Sequence, residues 1–121
     1  MKYLAILLPI VLWALSGCYY DNEEDLYPVA PDCDSLNVSY ATTIVPLLQQ
    51  YCTVCHSGGS PSGGVSLADH ANVQIWAQNG ALYGSIAHIG NFSPMPSGGA
   101  RLPDCDLAQV KNWVDAGALN N

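Results

Sequence analysis

Residues 52–56 read Cys52-Thr53-Val54-Cys55-His56, and in them two cysteines three positions apart are followed at once by a histidine. The residues before it, from about Thr43 to Tyr51, carry apolar side chains at helical spacing, which predicts that a helix leads into the motif. Pro46 falls in the first turn of that helix, where its missing N–H costs little. At the end of a helix, both cysteines and the histidine are within reach of one bound group.

This spacing is typical of covalent haem c attachment. Two cysteines at this separation can form thioethers with the two vinyl groups on one edge of a porphyrin, and the adjacent histidine can bind the iron. The sequence therefore predicts that Cys52 and Cys55 hold one haem c and that His56 is the proximal ligand of its iron. Three alternatives remain for the C-x-x-C pair: a thioredoxin-like redox site, half of a zinc site, and an ordinary disulfide.

A candidate for the second axial ligand is Met95, which lies in the segment Ser93-Pro94-Met95-Pro96-Ser97. The flanking prolines restrict the backbone and predict a stiff loop, on which a thioether could approach the other face of the haem. The alternative role is that of a methionine filling a gap in the core. His88 and His70 are the rivals of Met95. His88 could give a bis-histidine site, and His70 is expected to be exposed in the first turn of a helix.

The N-terminus has the pattern of a targeting segment. Met1–Gly17 carries one charge, Lys2, and an apolar run that is too short to span a bilayer, which takes roughly 20 residues. The sequence Leu15-Ser16-Gly17-Cys18 resembles the lipobox of bacterial lipoproteins, which implies removal of residues 1–17 and lipidation of Cys18. An ordinary secretory signal is the alternative. Residues 18–35 are acidic and contain prolines, and they predict a tether ahead of a domain over residues 36–121.

The charge balance narrows the choice of partner. The chain has 3 basic and 10 acidic residues and a formal charge of −7. This charge argues against nucleic acid, whose binding requires a basic surface. It predicts instead a partner with a basic docking face, whose association weakens with salt.

Two of the five cysteines are left once the haem motif and the lipidated Cys18 are set aside. These are Cys33, before the first helix, and Cys105, at the start of the last. In an oxidising compartment such a pair predicts a disulfide. The alternatives are two free thiols or cross-links to another chain.

Further helices follow the motif. One is predicted over about Leu67–Gln78, with Ser66 and Asp69 as a capping box and Gly80 beyond its end. Ala81–Ala87 is predicted as a short turn or helix. The last helix follows Pro103 and ends near Gly117, and its predicted apolar stripe is Leu107, Val110, Trp113 and Val114. Its N-cap is predicted to be Asp106, in a capping box with Gln109, or Asp104. No run of alternating apolar residues predicts a strand, so the predicted fold class is all-α.

In this order the motifs resemble the class I cytochrome c family, and most of all the short cytochrome c domains of bacterial lipoproteins and of the planctomycete type. The resemblance covers about Val38–Asn121 and is carried by Cys52-Thr53-Val54-Cys55-His56, Gly80-Ala81-Leu82-Tyr83, Met95-Pro96 and Lys111-Asn112-Trp113-Val114-Asp115-Ala116-Gly117-Ala118. It implies a small bundle of three to four helices wrapped around one covalently bound haem, with His56 and Met95 as axial ligands. The acidic tether over residues 18–35 and the Cys33/Cys105 pair are not part of the general family pattern.

These features predict a single-electron carrier and not an enzyme, because an iron with both axial positions filled has no vacancy for oxygen or peroxide. A lipidated Cys18 predicts membrane anchoring in a bacterial cell envelope, facing the periplasm or the cell surface. Redox proteins are the expected partners, and no small-molecule substrate is expected. The alternatives are a haem enzyme or gas-sensing module with an open or bis-histidine sixth position, and a structural module whose haem completes the core.

Overall fold

The computed structural model describes residues 33–121. The predicted signal peptide over residues 1–17, the predicted lipidation site Cys18 and the predicted tether as far as residue 32 lie outside the described residues. The described part of the chain is helical and contains no strand, which confirms the all-α class. Within residues 33–121, no helix has both the length and the apolar character needed to cross a bilayer.

The helices are short and follow one another closely. A π-helical turn, Tyr40–Ile44, continues directly into α1, Val45–Tyr51, and α2 spans Thr53–His56. After a 3-10 turn at Ser62–Gly64 come α3, His70–Gln78, α4, Ala81–Ala87, and α5, Asp104–Asp115. Helix α3 packs on α4, α4 packs on α5, and α5 returns to the π-helical turn. The first and last elements therefore meet and close the domain.

One apolar core joins these helices. Ile44, Leu47 and Leu48 are buried, which confirms the apolar face predicted for the first helix. On α5 the buried stripe is Leu107, Val110 and Trp113, again as the sequence predicts. The other buried apolar residues are Tyr40, Leu67, Val73, Ala77, Leu82, Ile86, Leu102 and Ala118. The segment leading to Cys52 is therefore anchored in the core by the residues immediately before it.

Two helices are capped differently from the prediction. Asp69, not Ser66, is the N-cap of α3, because its carboxylate accepts bonds from both the backbone N–H and the side-chain amide of Asn72, at 3.0 and 2.7 Å. The predicted capping box is wrong, and the helix begins at His70. Helix α5 has no side-chain cap, and Asp104 and Asp106 both lie within its first turn. There their carboxylates interact favourably with the positive end of the helix dipole.

An aromatic cluster at the start of the domain corrects the expectation for His70. Its ring meets Tyr40 edge to face, with centroids 4.6 Å apart, and Tyr40 stacks on Trp113 at 5.6 Å. The His70 Nε2–H donates to the carbonyl oxygen of Ala118, 2.9 Å away. His70 is therefore half-buried and joins three helical elements, and the expectation that it is exposed is wrong.

The chain before the first helix is fastened to α5. Cys33 and Cys105 form a disulfide, with Cα atoms 5.8 Å apart. Beside it, the side-chain amides of Gln109 and Asn112 donate to the backbone carbonyls at positions 34 and 35, at 3.0 and 2.7 Å. Residues 33–35 therefore lie along the last helix, and the covalent link is supported by two polar contacts.

We expect the disulfide to contribute substantially to stability, because it closes a loop with a sequence separation of 72 residues. In the chain-entropy treatment such a bond is worth up to about 4 kcal/mol. The double variant C33S/C105S should therefore unfold at a clearly lower denaturant concentration than the unsubstituted protein. Adding a reductant to the unsubstituted protein should give the same loss, and an unchanged unfolding midpoint in both experiments would contradict the expectation.

Candidate functional site

Cys52, Cys55 and His56 lie on one short helical turn. Helix α1 ends at Tyr51, and Cys52 leaves the helical conformation with φ −127° and ψ −46° while its N–H still donates to Leu48 O at 2.8 Å. Its own carbonyl then accepts bonds from Cys55 N and His56 N, at 3.1 and 3.0 Å. Residues three and four apart on a helix share a face. The structure therefore brings together the three residues that the motif singles out.

The two thiols of the motif are not bonded to each other, and they differ in environment. Cys52 is half-buried, and this burial raises the pKa of its thiol to about 11, whereas Cys55 is exposed. In redox-active C-x-x-C sites the attacking thiol has a lowered pKa, because its thiolate is the reactive form. The shift at Cys52 is in the opposite direction, so Cys52 does not have the lowered pKa of an attacking thiol.

The ring of His56 has a fixed orientation and one free nitrogen. Its Nδ1 lies 3.1 Å from the carbonyl oxygen of Val65. A carbonyl oxygen can only accept a hydrogen bond, so Nδ1 carries the hydrogen and the lone pair is on Nε2. Histidines that bind metals commonly donate their other ring N–H to such an acceptor. His56 therefore presents Nε2 as a ligand nitrogen, beside two unpaired thiols.

The loop after His56 returns to hold it. Gly63 and Gly64 adopt φ values of +63° and +70°, a region that glycine enters without steric cost. These turns bring Val65 back to the His56 ring, and the N–H of the buried Leu67 donates to the His56 carbonyl at 2.7 Å. Both the ring and the backbone of His56 are therefore fixed by the two residues that follow the glycine-rich loop.

Met95 is held by α4 and not by the segment that carries the cysteines. Its N–H donates to Ser85 O at 3.0 Å, and its carbonyl oxygen lies 3.0 Å from Nε2 of His88. The residue itself is half-buried. Further along, Leu102 N donates to Ile86 O at 3.2 Å, so both ends of the Met95 loop are tied to the same helix. The predicted stiffness of the loop has a second source beyond its prolines, namely these bonds to α4.

The two histidines that compete with Met95 each have Nε2 in a hydrogen bond to a main-chain carbonyl. Because Met95 O and Ala118 O can only accept, Nε2 of His88 and Nε2 of His70 must both carry hydrogens. Neither of these nitrogens has a lone pair to offer to a metal. Among the three histidines of the chain, His56 alone has its Nε2 free of a hydrogen bond.

Phe92 makes a contact with α4 that the sequence does not predict. Its ring lies against Gly84 in the middle of α4, so closely that a Cβ added to this buried glycine would overlap it. The ring is nevertheless 41% exposed. A glycine inside a short predicted helix is the signal that could have indicated this contact, since it marks a close approach of another group.

Within residues 33–121, no group of three or more His, Cys, Asp or Glu side chains is arranged to hold a metal ion. No family model, no curated protein and no solved structure matches the chain.

We expect Gly84→Ala to destabilise the protein by about 1–3 kcal/mol, because the new methyl group overpacks against Phe92. In a protein that already carries Phe92→Ala, Gly84→Ala should instead stabilise the fold, since alanine is a better helix former than glycine by up to about 1 kcal/mol. Denaturant unfolding of the four proteins of this double-mutant cycle measures both effects. A Gly84→Ala effect that is the same in both backgrounds would contradict the proposed contact.

Proposed function

We propose that this chain is a monohaem c-type cytochrome that carries single electrons. The observation that carries the proposal is the turn at residues 52–56, where two unpaired thiols stand beside a histidine whose Nε2 lone pair is left free by the bond from Nδ1 to Val65 O. These are the groups that covalent haem c attachment requires. Bound haem would supply one-electron exchange at its iron.

The chain's own residues would hold the group in the following way. Cys52 and Cys55 would form the two thioethers. Cys52 is half-buried and Cys55 is exposed. His56 would bind the iron through Nε2, because the carbonyl of Val65 fixes the other ring nitrogen. Met95 would supply its thioether sulfur as the distal ligand from the loop fastened to α4.

Exposed apolar side chains near these residues are consistent with a large apolar group. Val54 within the motif is 89% exposed, and Ile89 and Phe92 on the way to Met95 are 52% and 41% exposed. Apolar surface that remains open in a small domain often marks a place where another molecule binds.

A carrier is favoured over a haem enzyme or gas sensor by the way Met95 is held. Both backbone polar groups of Met95 are bonded to residues at the end of α4. A ligand whose backbone is fixed in this manner would be hard to displace from the iron. Oxygen, peroxide or carbon monoxide would need that position to be free. A bis-histidine site that uses Nε2 of His88 is disfavoured, because that nitrogen donates to Met95 O.

The charges of the described residues support a basic partner. Both cationic side chains in residues 33–121 are exposed and paired with carboxylates, Arg101 with Asp104 and Lys111 with Asp115. Asp34 and Asp69 are exposed, and backbone hydrogen bonds from nearby asparagines lower the pKa of each carboxyl group. We propose that a redox protein with a basic docking face is the partner, and that a lipidated Cys18 holds the carrier in the bacterial cell envelope.

The central test is whether haem is attached covalently. Made in a host with a haem c attachment system, the protein should be coloured and should retain its haem after denaturation, with a pyridine haemochrome spectrum of haem c. C52A/C55A should lose the covalent haem, whereas C33S/C105S, which removes the other two cysteines of the described domain, should keep it. A colourless product, or one containing zinc, would overturn the proposal.

The distal ligand is tested separately with Met95→Ala. Methionine–histidine ligation raises the reduction potential of haem. We therefore expect the variant to keep its covalent haem, to have a lower potential, to lose the near-infrared iron–sulfur absorption band and to bind cyanide rapidly. Leu36→Ala, which changes an exposed apolar residue ahead of the first helix, is the control and should leave the potential, the near-infrared band and the cyanide-binding rate unchanged. A variant with the spectrum and potential of the unsubstituted protein would exclude Met95 as the ligand.

A further inference from the structure

His88 occupies a backbone conformation that is uncommon for residues other than glycine. It ends α4 with φ 57° and ψ 43°, in the left-handed region, and its N–H closes the helix on the carbonyls of Gly84 and Ser85. Glycine is the residue that most often takes this position, because it has no Cβ to clash. The backbone geometry alone favours glycine at position 88. A role that is specific to histidine must therefore come from its side chain.

The side chain of His88 makes one specific contact. Its Nε2–H donates to the carbonyl oxygen of Met95 at 3.0 Å, while the Met95 N–H donates to Ser85 O, also at 3.0 Å. The C-terminal end of α4 therefore binds both the N–H and the carbonyl oxygen of Met95. Of the two contacts, the one to Ser85 uses backbone atoms and would be available to any residue at position 85. The contact to Met95 O depends on the identity of residue 88.

We propose that His88 is the positioning residue for the distal ligand: its Nε2–H bond to Met95 O holds the Met95 backbone so that the thioether stays on the iron. This inference rests on the proposed function. It assigns His88 a role that acts through Met95 and does not include binding the iron. Loss of the ring should leave haem attachment intact and make Met95 easier to displace.

Glycine at position 88 gives the sharpest test, because it removes the ring while suiting the left-handed backbone. In the oxidised protein, His88→Gly should bind cyanide about tenfold faster, which is the factor expected when one ordinary hydrogen bond no longer opposes detachment of the ligand. The near-infrared iron–sulfur band should weaken and the reduction potential should fall. His88→Gln, which keeps an N–H donor on a long side chain, should restore these properties at least in part.

The matched control is His70→Ala. His70 is also a half-buried histidine that donates Nε2–H to a main-chain carbonyl, at 2.9 Å, but its acceptor is Ala118 and not Met95. This variant should lose stability while its cyanide-binding rate, band and potential stay as in the unsubstituted protein. If His70→Ala accelerates cyanide binding as much as His88→Gly does, the effect is one of general destabilisation and the inference fails.

Failure of the inference is distinct from failure of the proposed function. If the unsubstituted protein carries haem c and Met95→Ala loses the near-infrared band, but His88→Gly behaves like the unsubstituted protein, only the role of His88 is overturned. Should His88→Gly not fold, 15N NMR of the reduced, unsubstituted protein decides the matter. Protonation of the His88 ring at Nε2 supports the assigned bond, and protonation at Nδ1 alone overturns it.

Discussion

The site depends on the bond between Nδ1 of His56 and the carbonyl oxygen of Val65. A free imidazole can carry its hydrogen on either nitrogen, and only the nitrogen without it can bind a metal. Main-chain carbonyls settle this question for all three histidines of the chain, since each ring has one nitrogen against such an acceptor. For His70 and His88 the bonded nitrogen is Nε2, and for His56 it is Nδ1. The same kind of acceptor therefore leaves Nε2 without a hydrogen bond on His56 and uses Nε2 as the donor on the other two rings.

That bond in turn depends on the chain around it. Helix α2 has only 4 residues, far fewer than an isolated helix needs to be stable in water. Two flanking segments hold it in place. On one side, Cys52 N continues the bonding of α1 through Leu48 O; on the other, Leu67 is buried and its N–H binds His56 O. The geometry of the motif is consequently a property of the core, to which both flanking segments are anchored.

The parts of this structure that the sequence predicts are those determined by local pattern. The apolar stripes of the first and last helices are buried as expected, and Gly80 and Gly117 follow the ends of α3 and α5 with φ values of +81° and +98°. Cys33 and Cys105, which pair by elimination among the five cysteines, are joined. These predictions need only spacing, composition and the steric freedom of glycine.

The errors arise where several local patterns compete or where the partner is distant in sequence. Ser66 and Asp69 fit a capping box, but Asp69 finds a bidentate partner in Asn72 and becomes the cap itself. His70 is half-buried because its acceptor, Ala118, is brought to it by the last helix across 48 positions. Similarly, the contact of Phe92 with Gly84 and the bond from His88 to Met95 O involve a loop whose path periodicity does not describe. Tertiary contacts of this kind override local propensity.

The way the Met95 loop is built also bears on the choice between a carrier and a catalyst. Ordering a loop costs conformational entropy. The benefit is that the ordered loop keeps one geometry, which favours binding of a group that needs it. Here the loop contains two prolines around Met95, is bonded at both backbone groups of that residue, and is tied again to α4 through Leu102. A catalyst or gas sensor needs the opposite, a sixth position that opens to a small molecule. A proposed carrier that exchanges one electron needs the same ligands before and after the exchange, and a restrained methionine meets that requirement.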